Sequence, residues 1–359
     1  MRTVLLCFLV LVTCTSLAGG KKDMGVIKKT VRGFSKIDTN YVEPQHYNWT
    51  IMAQTTLNYD RFKLSSGSGQ SVTLAPDMSL RVGPYFGWRW FFLGYTFDLK
   101  SFSFSSNGKK QEVEFSIYAA QVGIDLYYRR TGSDYKIRTA ELGEGIDVSS
   151  LHDVPFDGIN CGITGVNVYY IFNHKRFSYP AAFAQSTCQK ISCGSWMAGI
   201  AYTHNSLSLD YDKLEQVIND YCAPAAVELD SGLMFNKVKY YNLSLSGGYA
   251  YNFVFAKNCL FCASGSVALA YKHSEGDVRD VFGGDFDFDN VNIDCIGRFG
   301  LVYNNTKTYA GASLIVNTSN YHKSRFSTNE VFGSLNIYVG YNFGIKSKYK
   351  KAKNAEHKL

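Results

Sequence analysis

Apolar and polar residues alternate along this chain with a period of two, over long stretches. Trp49, Ile51, Ala53, Leu57 and Tyr59 fall on one beat, and Thr50, Gln54, Thr56 and Asn58 on the other. Tyr118, Ala120, Val122, Ile124, Leu126 and Tyr128 alternate in the same way with Gln121, Gly123 and Asp125. So do Tyr241, Leu243, Leu245, Tyr249 and Tyr251 with Asn242, Ser244 and Ser246, and Leu335, Ile337, Val339, Tyr341 and Phe343 with Ser334, Asn336 and Asn342. In the stretch from Asn290 to Asn317, Val291, Ile293, Cys295, Phe299, Leu301 and Tyr303 oppose Asn292, Asp294, Arg298 and Asn304. Successive side chains of a strand point to opposite faces, so this pattern predicts strands with one apolar and one polar face. The segments run to about ten residues or more, the length a tilted strand needs to cross a bilayer. Aromatic residues close the apolar beat at both ends, as Trp49 and Tyr59 or Tyr118 and Tyr128 do, which is the spacing of two interfacial girdles. The strands of a soluble sandwich, the competing reading, are usually shorter and lack that bracketing.

Strands are predicted at 47–63, 70–84, 89–104, 112–129, 134–140, 160–173, 193–208, 237–255, 258–273, 289–304, 308–321 and 329–345. About twelve is an even count, as a single-chain barrel with both ends on one side requires. The expected fold is therefore all-β: a transmembrane antiparallel up-and-down β-barrel. Its inner turns, at Ala256-Lys257-Asn258 and Asn304-Asn305-Thr306, are tight, while its outer connections, 141–159, 209–236 and 274–288, are long and polar. The long inner segment 174–192 breaks that rule and is expected to fold against the barrel mouth or into the lumen as a plug.

Composition agrees with this reading. Aromatic residues make up 15% of the 359 residues, alongside 32 Gly and only 6 Pro, a mixture suited to β-structure with a membrane-water boundary. At the start, one Arg, the apolar run Val4 to Val12 and the small-residue site Ser16-Leu17-Ala18 form a cleavable secretory signal, too short to span a membrane. Leu11-Val12-Thr13-Cys14 only faintly resembles a lipoprotein site. The expected organisation is a signal peptide at 1–18, a periplasmic lead at 19–46, the barrel at 47–345 and a basic tail at 346–359. Much of the excess charge behind the formal +7 sits in that tail, so a solvated tail is expected and nucleic acid is not a partner. The expected partners are outer-membrane lipid and the barrel-insertion machinery. Beyond the signal, seven cysteines remain, an odd number. Cys259 and Cys262 are three apart in a strand-like run, hence on opposite faces, and cannot converge on one metal ion. No metal or cofactor is expected.

The stretches "VGPYFGWRWFFLGYTFDL" (82–99), "IDLYYRRTGSDYKIR" (124–138), "FSYPAAFAQSTCQKISCGS" (177–195) and "GYAYNFVFAKN" (248–258) resemble a family of exported proteins of Bacteroides-type bacteria, a domain of unknown function numbered 4421. The resemblance covers most of the mature chain, and Phe-Ser-Tyr-Pro-Ala-Ala-Phe is its most specific part. It implies an outer-membrane β-barrel and no particular activity.

One pattern suggests catalysis. His204 and Ser206, two apart in "AYTHNSLSLD", share a strand face, where an imidazole can take a hydroxyl proton. With Tyr202 they resemble the Tyr-x-His-x-Ser stretch of outer-membrane phospholipase A. Here, however, Leu207-Ser208 stands where that family has Asn-Gly, and Asn219, in an expected loop, is no orienting partner. Parity also assigns Gln54, Asp77, Arg81, Gln121, Asp125, Asn292, Asp294 and Arg298 to the lumen, because an Arg facing lipid at mid-depth costs about 2–4 kcal/mol. About twelve strands leave a narrow interior, so a filled or gated lumen is expected rather than a general porin. The functional expectation is a structural or narrow-solute-passage barrel. The alternatives are a membrane-embedded lipid hydrolase using His204 and Ser206, and a barrel-mounted surface binding module acting through its outer loops.

Overall fold

The computed structural model describes residues 37–350 apart from 89–90, 95–96, 99–110, 131–133, 223–226, 231–232, 234, 279–283 and 324–325. The expected signal peptide, most of the lead and the last residues of the tail lie outside the described residues. A short strand, β1 (Val42–Pro44), precedes the first long one, β2 (Tyr47–Ser66). Then come β3 (Ser71–Pro76), β4 (Ser79–Trp88), β5 (Phe91–Gly94), β6 (Phe97–Asp98), β7 (Gln111–Tyr118), β8 (Val122–Arg130), β9 (Tyr135–Glu141), β10 (Val154–Pro155) and β11 (Ile159–Ile171). A short helix α1 (Tyr179–Phe183) and β12 (Thr187–Gln189) lead into β13 (Cys193–Leu209), and α2 (Tyr211–Cys222) follows. The long strands β14 (Phe235–Ala256), β15 (Cys259–Val278), β16 (Gly284–Asn304), β17 (Thr308–Lys323) and β18 (Phe326–Ile345) complete the chain.

From β11 onward each wall strand pairs antiparallel with the next, and β18 returns to pair with β2 along almost its whole length. On its other side β2 pairs with β4, which carries β5 and β6. At the far end, β11 pairs with β8 and β8 with β7, and β5 lies against β7. With β5 and β6 counted as one broken stave, about twelve staves form an up-and-down barrel wall.

Three local expectations are corrected. The segment 112–129 is two staves, not one: the chain turns at Ala119-Ala120-Gln121, where the Ala119 N–H donates to the Val122 carbonyl at 2.9 Å. Tyr118 and Val122 keep the same parity across this turn, which has no Gly, Pro or Asn, so the alternation hides it. The segment 134–140 is a strand, β9, but stands off the wall in a rim ladder with β3 and β10; 70–84 accordingly divides into β3 and β4. These changes cancel in the count. The connection 274–288 is mostly strand, because β15 and β16 stay in register up to Val278 and Gly284.

On the wall, the outward beat is apolar and exposed: Leu243, Leu245, Val267, Leu269, Val291, Ile293, Leu301, Ile337 and Val339 all stand out from the surface, with Leu245 63% accessible. Rings gather at the inner end of this band, where Trp49 packs on Phe86 and Trp88, and Trp196 on Tyr249. The inward beat is small or polar, with Asn242, Ser244, Asn252, Ser264, Ala268, Ala270 and Lys272 buried. In water, so broad an apolar exterior would be an aggregation hazard; against lipid it is the favourable surface.

Several wall glycines face tyrosines. Tyr169 lies over Gly123, Tyr127 over Gly165, Tyr309 over Gly340 and Tyr338 over Gly311, each pair in direct register on neighbouring strands. A Cβ at Gly123, Gly165 or Gly340 would overlap the facing ring, so these glycines permit the ring to lie flat on the wall.

Candidate functional site

Charged side chains inside a barrel must find one another, because an unpaired ion loses its hydration. Across the lumen, the Arg298 guanidinium on β16 donates to the Asp125 carboxylate on β8 at 3.0 Å. On neighbouring strands, the fully buried Lys272 ammonium lies 3.3 Å from Asp294 and also donates to the Ser319 hydroxyl at 2.8 Å and the Asn320 carbonyl at 2.9 Å. Asn242 Nδ2 donates to Asp294 at 3.4 Å. Nearer the outer mouth, Arg129 pairs with Asp60 and lies over the Phe332 ring, and the buried Glu330 stands in register with Ser319. Gln54 donates to Asn336 at 2.9 Å and Thr56 at 3.0 Å.

Among the expected lumen residues, Gln54, Arg81, Asp125, Asn292, Asp294 and Arg298 stand on the inward beat; Arg81 is buried and Asn292 half-buried. The structure places two elsewhere. Asp77 sits on the rim between β3 and β4, where Lys136 and Arg138 each donate to it at 2.8 Å. Those bonds, Lys136 first, hold its carboxyl below the usual range. Gln121 lies in the β7–β8 turn and donates to the Tyr170 hydroxyl. Both lie beyond the ends of wall strands, where parity no longer reports direction. Lys272, Arg129, Asp60 and Glu330 were not among the expected residues, although they fall on the inward beats of β15, β8, β2 and β18; continuing the parity count to the strand ends finds them.

The inner mouth is filled by the chain itself. Residues 172–192 fold back between the strands, and β12 within them pairs with β1. Ala181 and Ala182 pack on Leu260, Cys262 and Val302, and the Tyr179 ring meets Tyr169 edge-on at 5.5 Å. Gly300 lets the Ala182 carbonyl approach, since a Cβ there would lie 3.3 Å from that oxygen. Asn252 Nδ2 donates to the Ser178 carbonyl at 2.8 Å and to Gln189 Oε1 at 3.1 Å. Gln185 Nε2 donates to the Tyr338 hydroxyl at 2.7 Å, and Asn304 Nδ2 lies 3.4 Å from the Gln185 carbonyl. The Cys188 thiol points to the Asn304 carbonyl, and burial pushes its pKa up to about 12, which leaves it protonated and inert as a nucleophile.

The outer mouth is closed by an apolar core. Phe62, Leu64, Leu74, Ile137, Leu207, Leu209 and Val238 from the strands meet Tyr211, Leu214 and Ile218 from the buried face of α2. Asn219, expected in a loop, lies on this helix, and its side-chain oxygen accepts the Val227 N–H at 2.8 Å. Between plug and ionic belt lies a cavity of about 30 Å³ lined by Tyr169, Tyr179, Gly248, Ser264, Ser266 and Arg298. That is room for one or two waters.

His204 and Ser206 lie on the outward beat. The imidazole stacks on Tyr241, ring centroids 4.8 Å apart, and Tyr241 on His273 at 6.5 Å. His204 Nε2 is buried without a hydrogen-bond partner, so that nitrogen does not engage the Ser206 hydroxyl.

A family model described as Domain of unknown function (DUF4421) matches residues 36–343, and the chain belongs to that family. No curated protein matches it in sequence. Among solved structures it is similar to the outer membrane protease OmpT from Escherichia coli, at 8% identity, covering 85% of this chain and 100% of that one, TM-score 0.39. It is also similar to the translocator domain of the autotransporter NalP from Neisseria meningitidis, at 9% identity over 92% and 98% of the two chains, TM-score 0.34. The toluene transporter TodX of Pseudomonas putida is similar at 9% identity, over 82% and 90%, with TM-score 0.26.

Proposed function

We propose that this DUF4421 chain is an outer-membrane β-barrel that is closed at rest, with narrow polar-solute passage gated by its inner plug. The carrying observation is the segment 172–192, which fills the inner mouth and is hydrogen-bonded to inward side chains of β14, β16 and β18. Among the described residues the lumen above it is small or polar, Arg298 pairs with Asp125 and Lys272 with Asp294, and the cavity beside Tyr169 and Arg298 has room only for water. A general porin needs an open aqueous channel, and this interior has none through the described residues. As part of this proposal, the chain is assembled by barrel-insertion machinery.

Planar-bilayer recording tests the reading. The wild type is expected to be nearly silent. A Gln185→Ala/Asn252→Ala variant, which removes side chains bridging plug and wall, is expected to pass current in frequent openings. A steadily conducting wild type contradicts the resting closure. A variant that remains folded in the membrane and still silent contradicts passage and leaves a purely structural barrel.

A further inference from the structure

The outward surface of β8, β11, β13 and β14 changes character within one step along each strand. Moving outward, the register runs through Ile124–Val168–Ile200–Leu245, then Leu126–Val166–Tyr202–Leu243, then Tyr128–Thr164–His204–Tyr241. The next row is Arg130–Gly162–Ser206–Lys239. Mainly aliphatic rows thus give way to a row with three rings, and that row to two cations separated by Gly and Ser. Arg130 and Lys239 are both exposed. Four adjacent strands place their Cα atoms about 14 Å apart, so an Arg and a Lys side chain can lean toward each other over the gap. That gap is uncrowded: a Cβ added at Gly162 would make only ordinary contact, with the Ser206 Cβ at 3.9 Å. The Ser206 hydroxyl, on its floor, is a further donor.

We propose that this notch, floored by Gly162 and Ser206 and flanked by Arg130 and Lys239, docks the phosphate of an anionic lipid in the outer leaflet. The proposal rests on the reading of the chain as a membrane barrel. Charge and depth decide the occupant. The cations stand immediately beyond the ring row, at the height where lipid headgroups meet an apolar wall. A guanidinium and an ammonium flanking a gap that is floored by a hydroxyl match the acceptor oxygens of a phosphate. The same placement gives His204 a role without catalysis, since its ring stacked on Tyr241 supports the floor of the notch.

The test reconstitutes the full chain in vesicles of phosphatidylcholine alone, with added bisphosphorylated lipid A, or with dephosphorylated lipid A. Heat-modifiability on gels gives the temperature at which the barrel unfolds. Phosphorylated lipid A is expected to raise the wild-type midpoint by about 3 °C or more, and the dephosphorylated lipid by little. In Arg130→Gln/Lys239→Gln the midpoint in phosphatidylcholine stays at the wild-type value and the rise is lost. Arg61→Gln, which neutralises an outward rim cation on β2, keeps the rise. An equal rise in the double variant, or its loss in Arg61→Gln, overturns the notch as the site. An equal rise from millimolar inorganic phosphate overturns a lipid in favour of the free anion. If no preparation is heat-modifiable, the barrel reading itself falls and this proposal with it.

Discussion

Asp125 and Arg298 stand on β8 and β16, with β11, β13, β14 and β15 between them in the wall, yet their side chains meet at 3.0 Å. Each is about seven-eighths buried, at 14% and 13% exposure, so removing one strands the other in a poorly hydrated site. Asp125→Leu or Arg298→Leu is expected to destabilise the barrel by about 3 kcal/mol, while the double replacement recovers most of that loss. A double-mutant cycle on denaturant midpoints measures the coupling. At Gly340, an added methyl meets the Tyr309 ring, and Gly340→Ala is expected to cost about 1–3 kcal/mol through overpacking, read from the same unfolding curves. The opposite expectation holds for Ser206→Ala. Its hydroxyl is not engaged by His204 Nε2, so any lipid hydrolysis seen with the protein in detergent is expected to be unchanged by the substitution. Selective loss of activity in this variant would favour the hydrolase reading. At the rim, Asp77 has a depressed pKa because Lys136 and Arg138 bond its ionised form. It therefore contributes stability that is present above its unfolded pKa of about 3.9 and is lost as pH falls through the lower folded value. Because this carboxylate is half exposed, at 51%, the contribution is at most about 1 kcal/mol. Asp77→Asn should lower the unfolding temperature slightly at neutral pH and not at pH values near 2, as thermal scans can check.

At the scale of elements, the wall was legible because lipid outside and packed polar residues inside impose opposite demands on alternate side chains. Leu243 against Asn242 and Leu269 against Ala270 carry that demand without ambiguity. The same rule misleads where it stops applying. Across Ala119-Ala120-Gln121 the alternation persists through a turn, and β9 alternates although it packs in a rim ladder and not in the wall. The outer core was not legible, since Leu74, Ile137, Leu209 and Leu214 come from distant segments and become one cluster only when the barrel brings the rims together. The plug was legible as an exception, an inner connection too long to be a turn. Its attachment was not, because Gln185, Gln189 and Asn252 are ordinary amides until the fold sets them opposite Tyr338, Ser178 and each other. Each such buried hydrogen bond contributes about 1–3 kcal/mol when its loss leaves a partner unsatisfied. Removing Gln185 and Asn252 together should raise protease access at 172–192 by tenfold or more, measurable by limited proteolysis in detergent.

For the whole molecule, a wall of about twelve strands encloses more space than its own side chains fill. This chain closes that space with its own segments, an amide-bound plug at one mouth and an apolar core at the other. The ionic belt between them pairs its charges inside the wall, so the exterior remains free for lipid. The central claim is thus an apolar outside and a filled inside on the same strands. It is tested most directly by spin labels placed singly from Asn242 to Ala250 on β14 of the reconstituted protein. Collisions with oxygen, which concentrates in lipid, and with an aqueous nickel complex report what each position faces. Oxygen access should peak at Leu243, Leu245, Gly247 and Tyr249, while Asn242, Ser244, Ser246, Gly248 and Ala250 resist both reagents. Nickel access at those even positions would contradict a filled lumen, and nickel access at Leu243 and Leu245 would contradict the membrane barrel altogether.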